Sequence, residues 1–142
     1  MRGYSSIGLY VPKTSANVGS VLRAAGNFGS SFVAIEGKRY KSSSTDTMQQ
    51  HRHMPLFHVD DLQKIVPVDC VPVAVDLIEG AIDLRHYTHP ERALYIFGPE
   101  DGTLSENVTS WCRDTIYIPT NRCMNLAGTV HVVLYDRMLK CK

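Results

Sequence analysis

The sequence contains no CxxC pair. Its four cysteines, Cys70, Cys112, Cys123 and Cys141, are scattered, and none falls at zinc-ligand spacing with the six histidines. A chain of 142 residues hides enough surface to sustain one core without covalent staples. Neither a disulfide framework nor a structural metal is therefore needed, and the cysteines read as reduced thiols of a cytoplasmic protein. Long apolar runs are also missing: nothing approaches the roughly 18 to 20 residues that span a bilayer. The N-terminal MRGYSSIGLYVPKTSANVG has no extended apolar centre or small-residue cleavage site, which argues against a secretory signal. The net charge is only +1, so no global basic field marks a nucleic-acid binder. There is no internal repeat, and no GxGxxG with a suitably placed acid follows the first apolar run, which disfavours a dinucleotide-binding domain.

What is present is the balance of an ordinary globular domain, 44% hydrophobic and 20% charged, and one domain is expected over residues 1–142. Short β-branched or aromatic runs at Ile7–Val11, Ser31–Glu36, Val71–Asp76, Ala93–Phe97 and Thr115–Ile118 predict buried strands. Between them lie segments of helical period. Val21, Leu22, Ala25 and Phe28 share a face after Asn17 as a possible cap, with Gly29 as the stop. Asp60 or Asp61 caps a short helix through Ile65, and Ser105, Val108 and Trp111 suggest another. Leu126, Val130, Val133, Leu134 and Met138 form the longest stripe, ending at Lys140. Strands alternating with helices predict an α/β fold, a mostly parallel sheet with helices on both faces. One local concentration of charge stands out: Lys38, Arg39, Lys41, Arg52 and two histidines lie between Lys38 and His53 against Asp46 alone, around a serine-rich loop.

Three segments carry chemistry. In the first, Asn17-Val-Gly19-Ser-Val-Leu-Arg23, the glycine permits close backbone approach, and Arg23 points a rigid fork of donors toward the helix N-terminus, which suits phosphate or ribose oxygens. In the second, Tyr95-Ile-Phe97-Gly98-Pro-Glu100-Asp-Gly102-Thr-Leu104-Ser105, a buried strand runs into a tight turn at the sheet's C-terminal edge. Taken alone, Glu100 reads equally well as a cap of the following helix. The third, Ile118-Pro-Thr-Asn-Arg-Cys123-Met124-Asn125-Leu126, leads a polar loop into the longest helix and can present backbone groups to an adenine. Asn125 is either a side-chain donor and acceptor there or an N-cap.

In order and spacing these segments resemble the three motifs of the SPOUT superfamily, in its branch of RNA ribose 2′-O-methyltransferases. The likeness runs from Ile7 to Met138 and is closest to the small single-domain tRNA wobble-position enzymes. It implies a C-terminal trefoil knot, which periodicity alone never suggests, S-adenosylmethionine as methyl donor (S-adenosylhomocysteine as product), no metal, and a homodimer sharing its RNA site between subunits. Carried over residue by residue, Val75, Gly98, Ile118, Cys123, Met124 and Leu126 fall at donor-pocket positions, and Arg23, Glu100, Asn125 and Asn17 at positions tied to catalysis. A guanidinium hardly ever gives up its proton. The role expected of Arg23 is therefore to grip a phosphate and stabilise developing negative charge, with Glu100 and Asn125 fixing its geometry.

Three departures bear on the substrate. Cys123 stands where the family usually has serine, Asn125 is followed by Leu-Ala127-Gly128-Thr rather than a run with serine, and the preceding loop, Thr120 to Arg122, is shorter than in the wobble-position enzymes. Two competing functions remain open: a catalytically inactive relative that binds RNA, or a methyltransferase of ribosomal RNA. The rest of the RNA surface is expected from a second copy or a partner protein.

Overall fold

The structure, a computed structural model, describes residues 2–38, 40 and 54–141. Strand β1 (Tyr4–Tyr10) leads into helix α1 (Ser15–Asn27), then β2 (Val33–Glu36), β3 (Leu56–Val59), a 3-10 turn (Leu62–Ile65) and β4 (Val71–Val75). There follow β5 (Ile82–Asp83), a second 3-10 turn (Leu84–His86), β6 (Arg92–Phe97), α2 (Glu106–Thr109), β7 (Asp114–Tyr117) and α3 (Leu126–Lys140). The seven strands form one sheet in the order β3-β2-β1-β6-β4-β7-β5, and every pairing is parallel.

A parallel sheet hides both its faces, which is why the central strands are continuously apolar. Ala93 to Phe97 of β6 are all buried. On one side Ile7, Leu9, Val73, Tyr95 and Phe97 pack under Val18, Val21, Leu22 and Ala25 of α1 and Val130, Val133 and Leu134 of α3. The alternate residues Ala74, Leu94 and Ile96 face Leu62 of the first 3-10 turn, Leu104, and Val108 of α2 on the other. The expected α/β architecture is thus the observed one.

Local details differ from the sequence reading. Helix α1 is capped by Thr14, whose Oγ1 accepts from the Asn17 amide, and not by Asn17 itself. Its other end does close at Gly29, where φ is +69° and the next amide, of Ser30, donates to Ala25 O at 2.9 Å. Asp61 caps the 3-10 turn at Leu62–Ile65 as expected. Strands β3 and β5 had no signal: β3 is an edge strand with Phe57 and His58 exposed, and β5 is two residues long. Strand β7 lies between β4 and β5, two strands consecutive in the chain and earlier than it. That insertion of a later strand between earlier neighbours is compatible with the expected trefoil crossing.

At the sheet's N-terminal edge the end of α3 is bolted down. Arg137, 4% exposed, donates to Pro90 O, Glu91 O, Tyr4 O and the Tyr95 hydroxyl. Lys140 reaches Leu84 O at 2.6 Å and Tyr87 O at 2.9 Å. His89, also buried, holds the Tyr95 hydroxyl through Nδ1 and the Asp136 carboxylate through Nε2, each at 2.7 Å. With Tyr95 donating to Nδ1, the neutral imidazole satisfies both contacts.

Arg137→Met removes the four hydrogen bonds of a buried guanidinium, and it is expected to lower unfolding stability by about 3 kcal/mol, read as a shifted urea midpoint at unchanged slope. Burial lowers the pKa of His89 from its ordinary 6.5, Arg137 and Lys140 push the same way, and Asp136 only partly opposes them. The folded protein then binds fewer protons here than the unfolded chain, so this contribution is intact above pH 6.5 and fades as pH falls below it toward the folded pKa. A pH series of urea melts should show that loss in the wild type and a smaller one in His89→Asn.

Candidate functional site

The C-terminal ends of β4, β6 and β7 open into a cavity of about 470 Å³, within the size range of small-molecule sites and in the crevice where α/β sheets bind ligands. Three loops build its wall: Val75 to Leu77 after β4, Phe97 to Thr103 after β6, and Tyr117 to Met124 after β7, joined by Leu126 and Thr129 of α3. All six residues assigned to a cofactor, Val75, Gly98, Ile118, Cys123, Met124 and Leu126, line it.

The β6 turn closes tightly. A Cβ on Gly98 would lie 3.1 Å from the Leu104 amide nitrogen and 3.3 Å from its Cγ, so a side chain there would force the returning strand of the turn outward. Asp76, just past the end of β4, holds that turn: its Oδ2 accepts from the Leu104 amide at 2.9 Å and its Oδ1 from the Leu77 amide at 2.8 Å.

Glu100 lines the cavity but its carboxylate turns toward α1. It accepts from the Lys13 amide at 3.0 Å, the Thr14 amide at 3.2 Å and Asn17 Nδ2 at 2.7 Å. Donors left free at the start of a helix thus find a carboxylate 83 to 87 residues away in sequence. Burial is the largest single influence on this carboxyl and works to raise its pKa, yet the donations from Asn17, Lys13, its own backbone and Thr14 together hold it below the usual range. Glu100 therefore caps the first helix, not the one that follows it; α2 starts at Ser105 without a side-chain cap, and the Ser105 Oγ is buried with no partner among the described residues.

The remaining assignments separate. Asn17 joins the site through Glu100. Asn125 caps α3, its Oδ1 accepting from the Gly128 amide at 2.6 Å, and lies beside the cavity without forming its wall. Arg23 is exposed on α1, bonds to no described residue and does not line the cavity. Within the chain neither Glu100 nor Asn125 hydrogen-bonds to Arg23; both are engaged at helix starts. Of the basic concentration, Lys38 is exposed, while Arg39, Lys41, Arg52 and both histidines lie outside the described residues. Asp76 and Arg122 are cavity residues that the sequence reading did not single out. For Asp76 a signal existed, a carboxylate at the C-terminal end of a parallel strand.

A sequence profile of the SpoU rRNA methylase family matches residues 5–135. The chain belongs to this family. Solved structures show the same fold in other SpoU proteins. The SpoU methyltransferase AviRb from Streptomyces viridochromogenes, in complex with the cofactor AdoMet, matches with a TM-score of 0.82 at 19% identity over 96% of this chain and 60% of that one. The TrmH/SpoU tRNA modifying enzyme of A. aeolicus matches with 0.83 at 18% identity, over 98% of this chain and 76% of the other. A structure concerned with the 2-OH methylation of C/U34 on tRNA matches with 0.81 at 23% identity, over 99% and 92%. This SpoU chain thus spans about three fifths of the length of AviRb, with 60% covered. No curated protein matches its sequence. Among the described residues no helix is long and apolar enough to cross a membrane, and no group of three or more His, Cys, Asp or Glu is placed to hold a metal ion.

Replacing Glu100 with Gln weakens the acceptor and sets an amide beside the donors of α1. Exchange of the Lys13 and Thr14 amides with deuterium should then quicken by about tenfold, the effect of losing roughly 1.4 kcal/mol of charge-assisted bonding, while the Arg137 end of the molecule exchanges as before.

Proposed function

We propose that this SpoU-family chain is an S-adenosylmethionine-dependent RNA methyltransferase acting on a ribose 2′-hydroxyl of tRNA, with the wobble position as its target, working as a homodimer in the cytoplasm. The observation that carries the reading is the single cavity onto which the second and third motif segments converge, beside the helix start that holds the first. The AdoMet-bound AviRb and the structure of 2-OH methylation at C/U34 on tRNA share this fold and support the choice of donor and target.

The residues present suit that donor. Val75, Leu77, Phe97, Ile118 and Leu126 give apolar walls for an adenine, and Gly98 keeps the β6 turn free of a side chain that would displace it. Val75, Gly98, Ile118, Cys123, Met124 and Leu126 are the residues that would hold it. When bound, it supplies an electrophilic methyl group on sulfur. The chain's own task is then alignment and exclusion of water, because methyl transfer is an in-line displacement. Glu100 serves it by fixing the β6 turn to the start of α1, and Asn125 by fixing the start of α3.

Arg23 lies about 12 Å along the helix axis from Ser15, exposed and unpaired among the described residues. Its guanidinium is free to take a substrate phosphate, and a second copy would bring it to the cavity. The exposed apolar face of α3, Tyr135, Met138 and Leu139, is available for that contact.

Calorimetric titration with S-adenosylmethionine is expected to show one site per chain. Arg23→Lys keeps the charge but loses the bidentate fork, and methylation of tRNA should fall by about a hundredfold with donor affinity unchanged; unaltered turnover would remove Arg23 from the mechanism. Mass spectrometry of tRNA nucleosides from cells with and without the gene should reveal one missing 2′-O-methyl nucleoside. Its absence from ribosomal RNA instead would move the target, and donor binding without any missing nucleoside would leave an inactive RNA-binding relative.

A further inference from the structure

Among the described residues two carboxylates line the cavity, Asp76 and Glu100, against one guanidinium, that of the exposed Arg122. Their situations differ. Glu100 accepts from two backbone amides, the Thr14 hydroxyl and the Asn17 amide, and it sits at the N-terminus of a 13-residue helix whose dipole further offsets its charge. Asp76 accepts one backbone amide on each oxygen, from Leu77 and Leu104, and forms no ion pair with a described residue. A carboxylate oxygen can accept twice. Each oxygen of Asp76 therefore keeps an acceptor site, and its negative charge is the less compensated of the two.

We infer that Asp76 is the residue by which this cavity prefers a positively charged methyl donor to the neutral product of the reaction. The inference rests on the donor reading given above. In the transfer, the bond between methyl carbon and sulfur breaks, its electron pair stays on sulfur, a carbon–oxygen bond forms, and the hydroxyl proton passes to solvent. The ligand thereby loses one positive charge, while its shape changes by a single methyl group. A carboxylate held between the β4 and β6 loops favours the cation before transfer and gains nothing from the thioether after it. Its position also fits a built feature rather than a chance surface acid, because its carboxylate ties its own β4 loop to the β6 turn, one oxygen on the adjoining Leu77 amide and the other on the Leu104 amide 28 residues away.

Three ligands of nearly one shape test this by calorimetry: S-adenosylmethionine, S-adenosylhomocysteine, and sinefungin, which carries an amine in place of the sulfonium. The wild type should favour both cationic ligands over S-adenosylhomocysteine. Asp76→Asn should shrink that preference by about fivefold, the size of one partly solvated charge contact, with affinity for S-adenosylhomocysteine kept within twofold. In the wild type the same preference should also shrink between low salt and about 1 M salt, a readout that needs no variant to fold. An unchanged ratio in Asp76→Asn, an equal loss for all three ligands, or a preference indifferent to salt would each overturn the inference while leaving donor binding intact. No heat from any ligand with the wild type overturns the donor reading itself, and this inference with it.

Discussion

The cavity depends on one carboxylate that joins two distant parts of the chain. A helix begins with amides that have no partner of their own, and α1 begins at the edge of the crevice where β1 ends. Thr14 takes one of those amides and Glu100 comes from the β6 turn to take the Lys13 and Thr14 amides and the Asn17 side chain. The turn and the helix therefore hold each other in place. Val11, at the exit of β1, adopts a left-handed φ of +51° with its amide bonded to Glu36 O at 2.8 Å, so the chain is bent sharply just before this junction. Such a conformation is costly for a β-branched residue and persists where its surroundings over-determine it.

Asp76 repeats the device on the other side of the turn, with Leu104 and Leu77 as its amides. The two acids differ in what they leave over. Glu100 faces a helix start and is consumed by it, whereas Asp76 ties its own loop to the β6 turn and retains acceptor capacity. Both tie-points lie at the C-terminal edge of the sheet, and the guanidinium of Arg137 performs the analogous service at the opposite edge with carbonyl acceptors in place of amide donors.

Much of the fold was legible in the sequence because its central strands are buried on both faces and show it as unbroken apolar runs. Val71 to Val75 and Ala93 to Phe97 carry that signal; β3, with Phe57 and His58 turned to solvent, and the two-residue β5 do not. The cavity wall was legible as well, since it is made of contiguous loop segments whose glycines and prolines mark them. What escaped were contacts between segments. Nothing near Glu100 in sequence announces that its partners are Lys13, Thr14 and Asn17, and the turn that follows invited a local cap instead. Asn17 looked like a cap for the same reason, although it is Thr14, three residues earlier, that closes the helix. Asp76 read as the last residue of a strand because the partner that gives it its place, the Leu104 amide, lies 28 residues further along the chain. Arg23 was recognisable by its spacing from Asn17, yet spacing alone gives no hint that it stands outside the lining of the chain's own cavity.

Helix α3 runs between the two edges. Its first turn, at Leu126 and Thr129, forms part of the cavity, and its last turn is fastened through Arg137, Lys140 and the His89–Asp136 pair. A rod clamped at its far end transmits strain but does not slide. Whatever adjustment a bound molecule asks of the pocket is therefore left to the three loops that wall it, with the sheet and the long helix as their frame.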